Sequence, residues 1–307
     1  MTDSAAPIKP TGVHEETPGR SQVSSHPLGG PGEARAGGTH NETPGRSQVS
    51  SHPLGGPGAA RAGGALKSDR RMDQYFANED ERRAVTRAMF DQAAAGYDSA
   101  ESLTALGSGA RYRREVLCRI GLAPGMALLD VAAGTGLVTA AALELVGPQG
   151  KVWALDPSPG MLAELRKKMD VLTIEAYAES IPLPDGLVDV VSMGYALRHV
   201  GDLAQAFAEY HRVLKPHGRV CLMEISRPRN PLLRGLLRFH IAVVVPLLAR
   251  LTRRHDDVQR LWEYYGDTIE AALEPDLILD ALRRAGFSEV RCDVSMGVFR
   301  EYIGRKI

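Results

Sequence analysis

The stretch LLDVAAGTGLVTA (128–140) brings an acid, two glycines and a helix start together. An apolar run leads to Asp130, and Gly134-Thr135-Gly136 then turns directly into a helical pattern. Glycine lets the backbone come close to a ligand, and a helix start offers free amide groups and the positive end of a dipole. A dinucleotide loop of the Gly-x-Gly-x-x-Gly type would need glycine where Thr139 stands, and no phosphate-loop lysine follows. The acid ahead of the glycines suits a cationic amine better than a pyrophosphate. Asp156 ends the next apolar run, in ALDPSPGML, where a carboxylate can accept both hydroxyls of a ribose. Nicotinamide and adenosyl cofactors share that ribose geometry, so Asp156 alone does not separate them.

These residues need strands to hold them. Runs rich in Val, Leu and Ile at 126–132, 151–156, 171–176, 187–193 and 219–225 predict buried parallel strands. Helical segments at 137–146, 158–169 and 202–214 alternate with them. Asp202 is a cap for the last of these, and Pro216 with Gly218 is its stop. Ser158-Pro159 reads as a cap followed by proline in the first turn. Helices are predicted around 232–251, 254–270 and 276–285, then SEVRCDV and VFREYIGRK as an antiparallel pair at the sheet edge. Such alternation implies a doubly wound α/β sheet, with the ligand beyond the carboxyl ends of the central strands.

The first 68 residues are of another kind. They contain no Phe, Tyr or Trp and hold 13 of the 32 glycines and 8 of the 19 prolines. Without large apolar groups to offset the entropy of ordering, 1–68 is expected to be a disordered tail. Residues 14–38 recur at 40–64 with only positions 15/41 and 33/59 changed, a tandem duplication of period 26. Two copies with so little apolar surface do not make a solenoid. The histidines His14, His26, His40 and His52 are too widely spaced to read as a metal tract. One domain is expected over 69–307: N-terminal helices 70–121, a cofactor-binding core 122–230, acceptor-side helices 231–286 and terminal strands 287–307.

Composition excludes some classes. Lys plus Arg and Asp plus Glu are both 37, so no cationic excess points to a general polyanion binder, and no basic-aromatic patch suggests nucleic acid. Cys118, Cys221 and Cys292 show neither metal nor disulfide spacing and read as reduced thiols of a cytoplasmic protein. The most apolar stretch, 231–251, has its longest run without Arg or Lys at Phe239–Ala249, 11 residues. A spanning helix needs about 20, so a transmembrane span is not expected.

Asp130, the glycine loop and Asp156, taken in this order, resemble class I S-adenosylmethionine-dependent methyltransferases. The resemblance implies a Rossmann-like fold: a seven-stranded, mostly parallel sheet with an antiparallel C-terminal strand and helices on both faces. It narrows further. MGYALRHVGDLAQAFAEYHRVLKPHGRVCLMEISRP (193–228) resembles the signature of the ubiquinone/menaquinone biosynthesis C-methyltransferases. MFDQAAAGYD (89–98) keeps that family's Phe90…Tyr97-Asp98 spacing, and PDLILDALRRAGFSEV (275–290) resembles its last helix-strand unit. The similarity covers roughly 85–307 and none of the tail.

By that resemblance Asp130, Ala132, Gly134, Thr135 and Gly136 surround the methionine part of S-adenosylmethionine. Asp156, with Pro157 and Met161, holds the ribose side. Tyr177, Ala178 and Glu179 lie at the adenine, and Gly194 closes the pocket. Arg198 matches an arginine that positions or activates a water for deprotonation of the acceptor, so a water stays open beside His199 as the base. Arg198 itself stays protonated and so suits an electrostatic role toward a phenolate or carbanion rather than that of a base. His199 is the candidate base because its ordinary pKa of about 6.5 suits proton transfer. Tyr195 and Tyr97 are candidates for the acceptor wall, with His240 and Tyr265 as more distant ones.

The chain departs from the family on the acceptor side. Gly194 stands where a serine is usual, His199 replaces an asparagine, and SGARYRREV replaces the usual leucine-histidine-arginine-tryptophan helix. The expected activity is methyl transfer to a small aromatic or quinol acceptor, most directly C-methylation of a quinol. O- or N-methylation of a secondary metabolite or lipid head group, and a cofactor-binding protein without catalysis, stay open. So do three readings of 231–251: a lid or core helix, a peripheral contact with the inner face of a membrane, or a homodimer surface.

Overall fold

The computed structural model describes residues 78–104, 109–225, 228, 230–244 and 273–307. The duplicated segment, the helix expected over 254–270 and Tyr265 lie outside these residues.

In chain order the elements are α1 (Glu79–Thr104), α2 (Gly109–Arg119), β1 (Ala127–Val131), α3 (Leu137–Val146), β2 (Lys151–Asp156), α4 (Pro159–Lys168) and β3 (Leu172–Glu175). Then come β4 (Val188–Gly194), a 3-10 turn (Leu197–His199), α5 (Leu203–Val213) and β5 (Leu214–Ile225). The last described elements are α6 (Pro231–Phe239) running into a π-helical stretch (His240–Val244), α7 (Pro275–Arg284), β6 (Ser288–Ser295) and β7 (Phe299–Arg305). The seven strands form one sheet in the order β3-β2-β1-β4-β5-β7-β6. Strands β1 to β5 are parallel, while β7 runs antiparallel to both β5 and β6. The doubly wound sheet and the terminal antiparallel pair are those expected.

Alternation along the strands makes two cores. Leu129 and Val131 of β1, with Leu155, Val191, Met193 and Leu222, pack against Phe207 and Tyr210 of α5 and Ile278 and Leu282 of α7. Leu128, Val152, Val190, Cys221 and Met223 point the other way, onto Val116 and Leu117 of α2 and Val138, Ala142 and Val146 of α3. β1 is buried along its whole length, as a central parallel strand must be. Each fully buried Leu or Phe in these faces contributes about 1.5–3 kcal/mol relative to exposure.

Local signals set the helix starts. Asp202 accepts from the Ala204 and Gln205 amides, Ser158 caps α4 ahead of Pro159, and Asn230 caps α6 ahead of Pro231. One boundary is corrected. The helix was expected to run to 214 with strand five starting at 219, but α5 stops at Val213 and β5 begins at Leu214. Lys306 Nζ donates to the carbonyls of His211 and Leu214 at 2.7 Å each, and Leu214 pairs with Val188. The helix thus ends one residue before the expected end, ahead of Pro216, and Lys306 satisfies the carbonyls left there.

Candidate active site

The carboxyl ends of β1, β2 and β4 open into one cavity of about 740 Å³, its mouth included. Ala132, Gly134, Asp156, Pro157, Ser158, Met161, Tyr177, Gly194, Tyr195, Ala196 and His199 line it from the sheet side. Arg82, Arg83, Thr86, Arg87, Phe90 and Tyr97 of α1 line it from above.

Asp156 ties two loops together. One carboxylate oxygen accepts from the Gly134 amide at 2.8 Å, the other from the Ser158 amide at 2.8 Å. A carboxylate has about four lone-pair sites, so two remain for hydroxyl donors. Burial raises its pKa to about 6, against the lowering effect of those two amides. It is therefore mostly ionised at neutral pH and able to hold a diol.

Asp130 lies elsewhere than expected. It is fully buried, sits opposite Ser192 in the β1–β4 register, and does not line the cavity. Ser192 Oγ donates to one oxygen at 2.9 Å and Thr139 Oγ1 to the other at 2.7 Å. Burial raises its pKa to about 7, opposed by those hydroxyls. The acid that was assigned to a cationic amine instead clamps β1 to β4 and α3 beneath the glycine loop. Thr135 is likewise turned away from the cavity, onto Asp98 of α1. Gly136 caps α3 at φ 91°, and a Cβ there would stand 2.9 Å from Leu165 Cγ. Its glycine is required by backbone conformation and by the packing of α3 on α4.

At the turn after β3, Tyr177 lines the cavity under the Arg83 guanidinium, 5.0 Å from the ring centroid. Ala178 and Glu179 are buried beside it but do not line the cavity. Glu179 accepts from the Gly201 amide at 2.8 Å and pairs with Arg83 at 3.1 Å, which fastens α1 and the turn before α5 to the same carboxylate.

The other end of the cavity holds Tyr195 and His199. Tyr195 is non-glycine at φ 60° with its amide donating to Met223 O at 2.7 Å. Its ring has the Arg113 guanidinium at 5.6 Å and Phe299 at 6.2 Å, and burial raises the phenol pKa. The phenol therefore stays protonated and is a donor. His199 meets the Phe90 ring edge-on at 5.4 Å. Burial, then the Arg198 and Arg82 charges, push its pKa well below 6.5, so the imidazole is neutral and able to accept a proton.

Arg198 is corrected. Its guanidinium is buried on Glu224 at 2.6 Å and does not line the cavity. His240 lies in the π-helical stretch and does not line the cavity.

Reading by motif named Tyr97 on α1, with Phe90 in the same element, and missed the arginines and Thr86 of that helix face. Arg83, Thr86, Arg87, Phe90 and Tyr97 fall at spacings of three, one, three and seven, the stripe of one helix face. That periodicity was available; which surface it faced was not. Asp91, also on α1, accepts from Ser158 Oγ at 2.6 Å and the Gly160 amide at 2.9 Å, so the helix is pinned to the loop that carries Asp156.

Among proteins of known function the resemblance is broad. A curated ubiquinone/menaquinone biosynthesis C-methyltransferase from Hahella chejuensis is 31% identical over 205 residues, 64% of this chain and 81% of its own. A demethylmenaquinone methyltransferase from Symbiobacterium thermophilum is 30% identical over 237 residues, 74% of this chain and 94% of its own. Among solved structures, a SAM-dependent methyltransferase from Thermotoga maritima shares the fold with TM-score 0.52 at 19% identity, covering 72% of this chain and 99% of its own. The ubiE/COQ5 methyltransferase model matches residues 77–306, which spans both ends of the cavity and the helix above it. With most of its described length inside that match, the chain belongs to the ubiE/COQ5 methyltransferase family and takes S-adenosylmethionine as its cofactor.

Proposed function

We propose that this enzyme methylates a ring carbon of a quinol, the class of acceptor named in the relatives from Hahella and Symbiobacterium. The observation that carries the reading is one cavity joining the Asp156–Gly134 cradle to Tyr195 and His199. The residues fit S-adenosylmethionine: Asp156 keeps acceptor capacity for the ribose hydroxyls, Tyr177 offers an aromatic face to the adenine, and Ala132, Gly134 and Gly194 leave room for the methionine part. When bound, that cofactor supplies an electrophilic methyl carbon.

The chain's own contribution is orientation, exclusion of water and removal of a proton. His199 is the side chain at the cavity that takes the quinol proton; burial and the Arg198 and Arg82 charges keep it neutral and also weaken it as a base, so the developing anion of the acceptor beside it is what raises its basicity in the complex. Tyr195 donates its hydroxyl hydrogen to the developing oxyanion. Arg198 acts through the turn it anchors on Glu224, holding His199 at the cavity. Asp130 and Thr135 support the glycine loop from behind.

The same reading takes in the exposed face of α6. Leu232, Leu236, Phe239 and Val243 are 82%, 61%, 56% and 47% exposed and repeat every three or four residues. Between Glu224 and Asp256 the sequence has seven arginines and no acid, in a chain of zero net charge. An apolar stripe within a basic segment supports contact with an anionic bilayer, where a hydrophobic quinol resides. No helix among the described residues is long and apolar enough to cross a membrane.

The test is turnover of methyl-labelled S-adenosylmethionine with demethylmenaquinol carried in anionic vesicles. We expect label on the quinol ring and a mass gain of one methylene. Label on a quinol oxygen would replace C-methylation by O-methylation, and release of S-adenosylhomocysteine only with a non-quinol acceptor would overturn the acceptor class.

A further inference from the structure

A second cavity, of about 570 Å³ with its mouth included, lies at the other end of the sheet. It opens where β5 begins and β7 ends, next to the turn that follows α2. Four arginines line it, Arg119, Arg219, Arg291 and Arg305, and three carboxylates, Glu289, Asp293 and Glu301, pair with three of them. The arginines come from four different elements, so no local charge run explains their convergence.

Each guanidinium is anchored rather than left to swing. Arg219 Nη1 donates to Ile120 O at 2.6 Å, and Arg119 faces the buried Glu301 at 3.3 Å. Arg305 pairs with Glu289 at 3.0 Å and Arg291 with Asp293 at 3.3 Å. An arginine has five N–H donors, so these contacts orient the forks and leave most donors for a ligand. Gly121 keeps φ +86°, and a Cβ there would stand 2.4 Å from Arg219 Nη1. The turn is thus shaped around that guanidinium. The three carboxylates offset three of the four charges, and Arg219, held on a carbonyl, leaves the site a net positive charge that favours an anion. Planar forks match phosphate oxygens in pairs. Two forks serve one phosphate; four suit two adjacent ones.

We propose that this cavity binds a small molecule bearing a diphosphate group, at a site separate from methyl transfer. The free ion and a diphosphate ester share that chemistry. The test is calorimetric titration of the full chain with inorganic phosphate, inorganic diphosphate and adenosine diphosphate in turn. Arg291→Gln and Arg305→Gln are the variants, both on half-exposed side chains, with Arg283→Gln on α7 as control. We expect diphosphate to bind more tightly than phosphate and to lose about tenfold in affinity in each cavity variant, with the control unchanged. S-adenosylmethionine titration should be the same in all four proteins, which checks folding and keeps this result apart from the methyl-transfer reading. Adenosine diphosphate binding tighter than diphosphate, and weakened by the same variants, assigns the site to an ester. Heats that are equal in wild type and cavity variants, or adenosine diphosphate binding that ignores them, overturn the proposal.

Discussion

The two ends of the methyl-transfer cavity are built by different means. The cofactor end is local: Asp156 ends a strand, Gly134 and Tyr177 follow one by two or three residues, and the parallel register sets them side by side. The acceptor end is remote in sequence. Tyr195 takes Arg113 from α2 and Phe299 from β7, and His199 takes Phe90 from α1. Strand-end geometry is a property of the fold, whereas contacts across the chain can be changed one side chain at a time.

If the ends are separable, variants should divide cleanly between turnover and cofactor binding. The largest effect is expected for His199→Gln: kcat falls about 10²–10⁴-fold through loss of the base, with cofactor affinity nearly unchanged. Steady-state rates beside calorimetry check it, and an equal loss of affinity would break the comparison. Next is Asp156→Ala, which removes charged hydrogen bonds to the ribose, of which even one is worth about 1.5–3 kcal/mol, and so weakens S-adenosylmethionine by at least about 10–100-fold, while kcat at saturating cofactor moves little.

The smallest effect sharpens the comparison through pH. Asp156 at about 6 and Asp130 at about 7 are raised carboxylates. The folded chain holds their protons more tightly than the unfolded chain does. Their stabilising contribution is therefore complete below the ordinary carboxylate range and is lost as pH rises through 6 and 7, at most about 1.4 kcal/mol per pH unit per group. His199, with its lowered pKa, acts in the opposite sense: its contribution grows as pH rises toward 6.5. Comparing wild type with Asp130→Asn isolates one carboxylate, and the variant's melting temperature should fall less steeply between pH 5 and pH 8. Cofactor affinity should run against that trend, rising through pH 6 as Asp156 ionises. A parallel trend in both quantities would show that the carboxylate holding the ribose is not Asp156.

Much of this protein was written in short stretches. Apolar runs of six or seven residues named the strands; Ser158-Pro159 and Asp202 named two helix starts; Asp156 beside a glycine loop named the proposed cofactor end. These depend on neighbours a few residues apart, so backbone geometry alone turns them into structure. The direction a side chain takes at a fixed position does not depend on neighbours in this way. Asp130 looked like a ligand but faces Ser192, 62 residues on, and Arg198 looked like an acceptor contact but faces Glu224, 26 residues on. α1 showed a helical stripe without showing that Asp91 and Asp98 would pin it over Ser158 and Thr135. The sequence by itself determined the sheet, the glycine loop and the acid that follows it, because those are local patterns of burial and turn chemistry. Only the tertiary structure decided which acids are clamps, which helix covers the cavity and where four arginines meet, because each of those is a contact between segments that chain order leaves far apart.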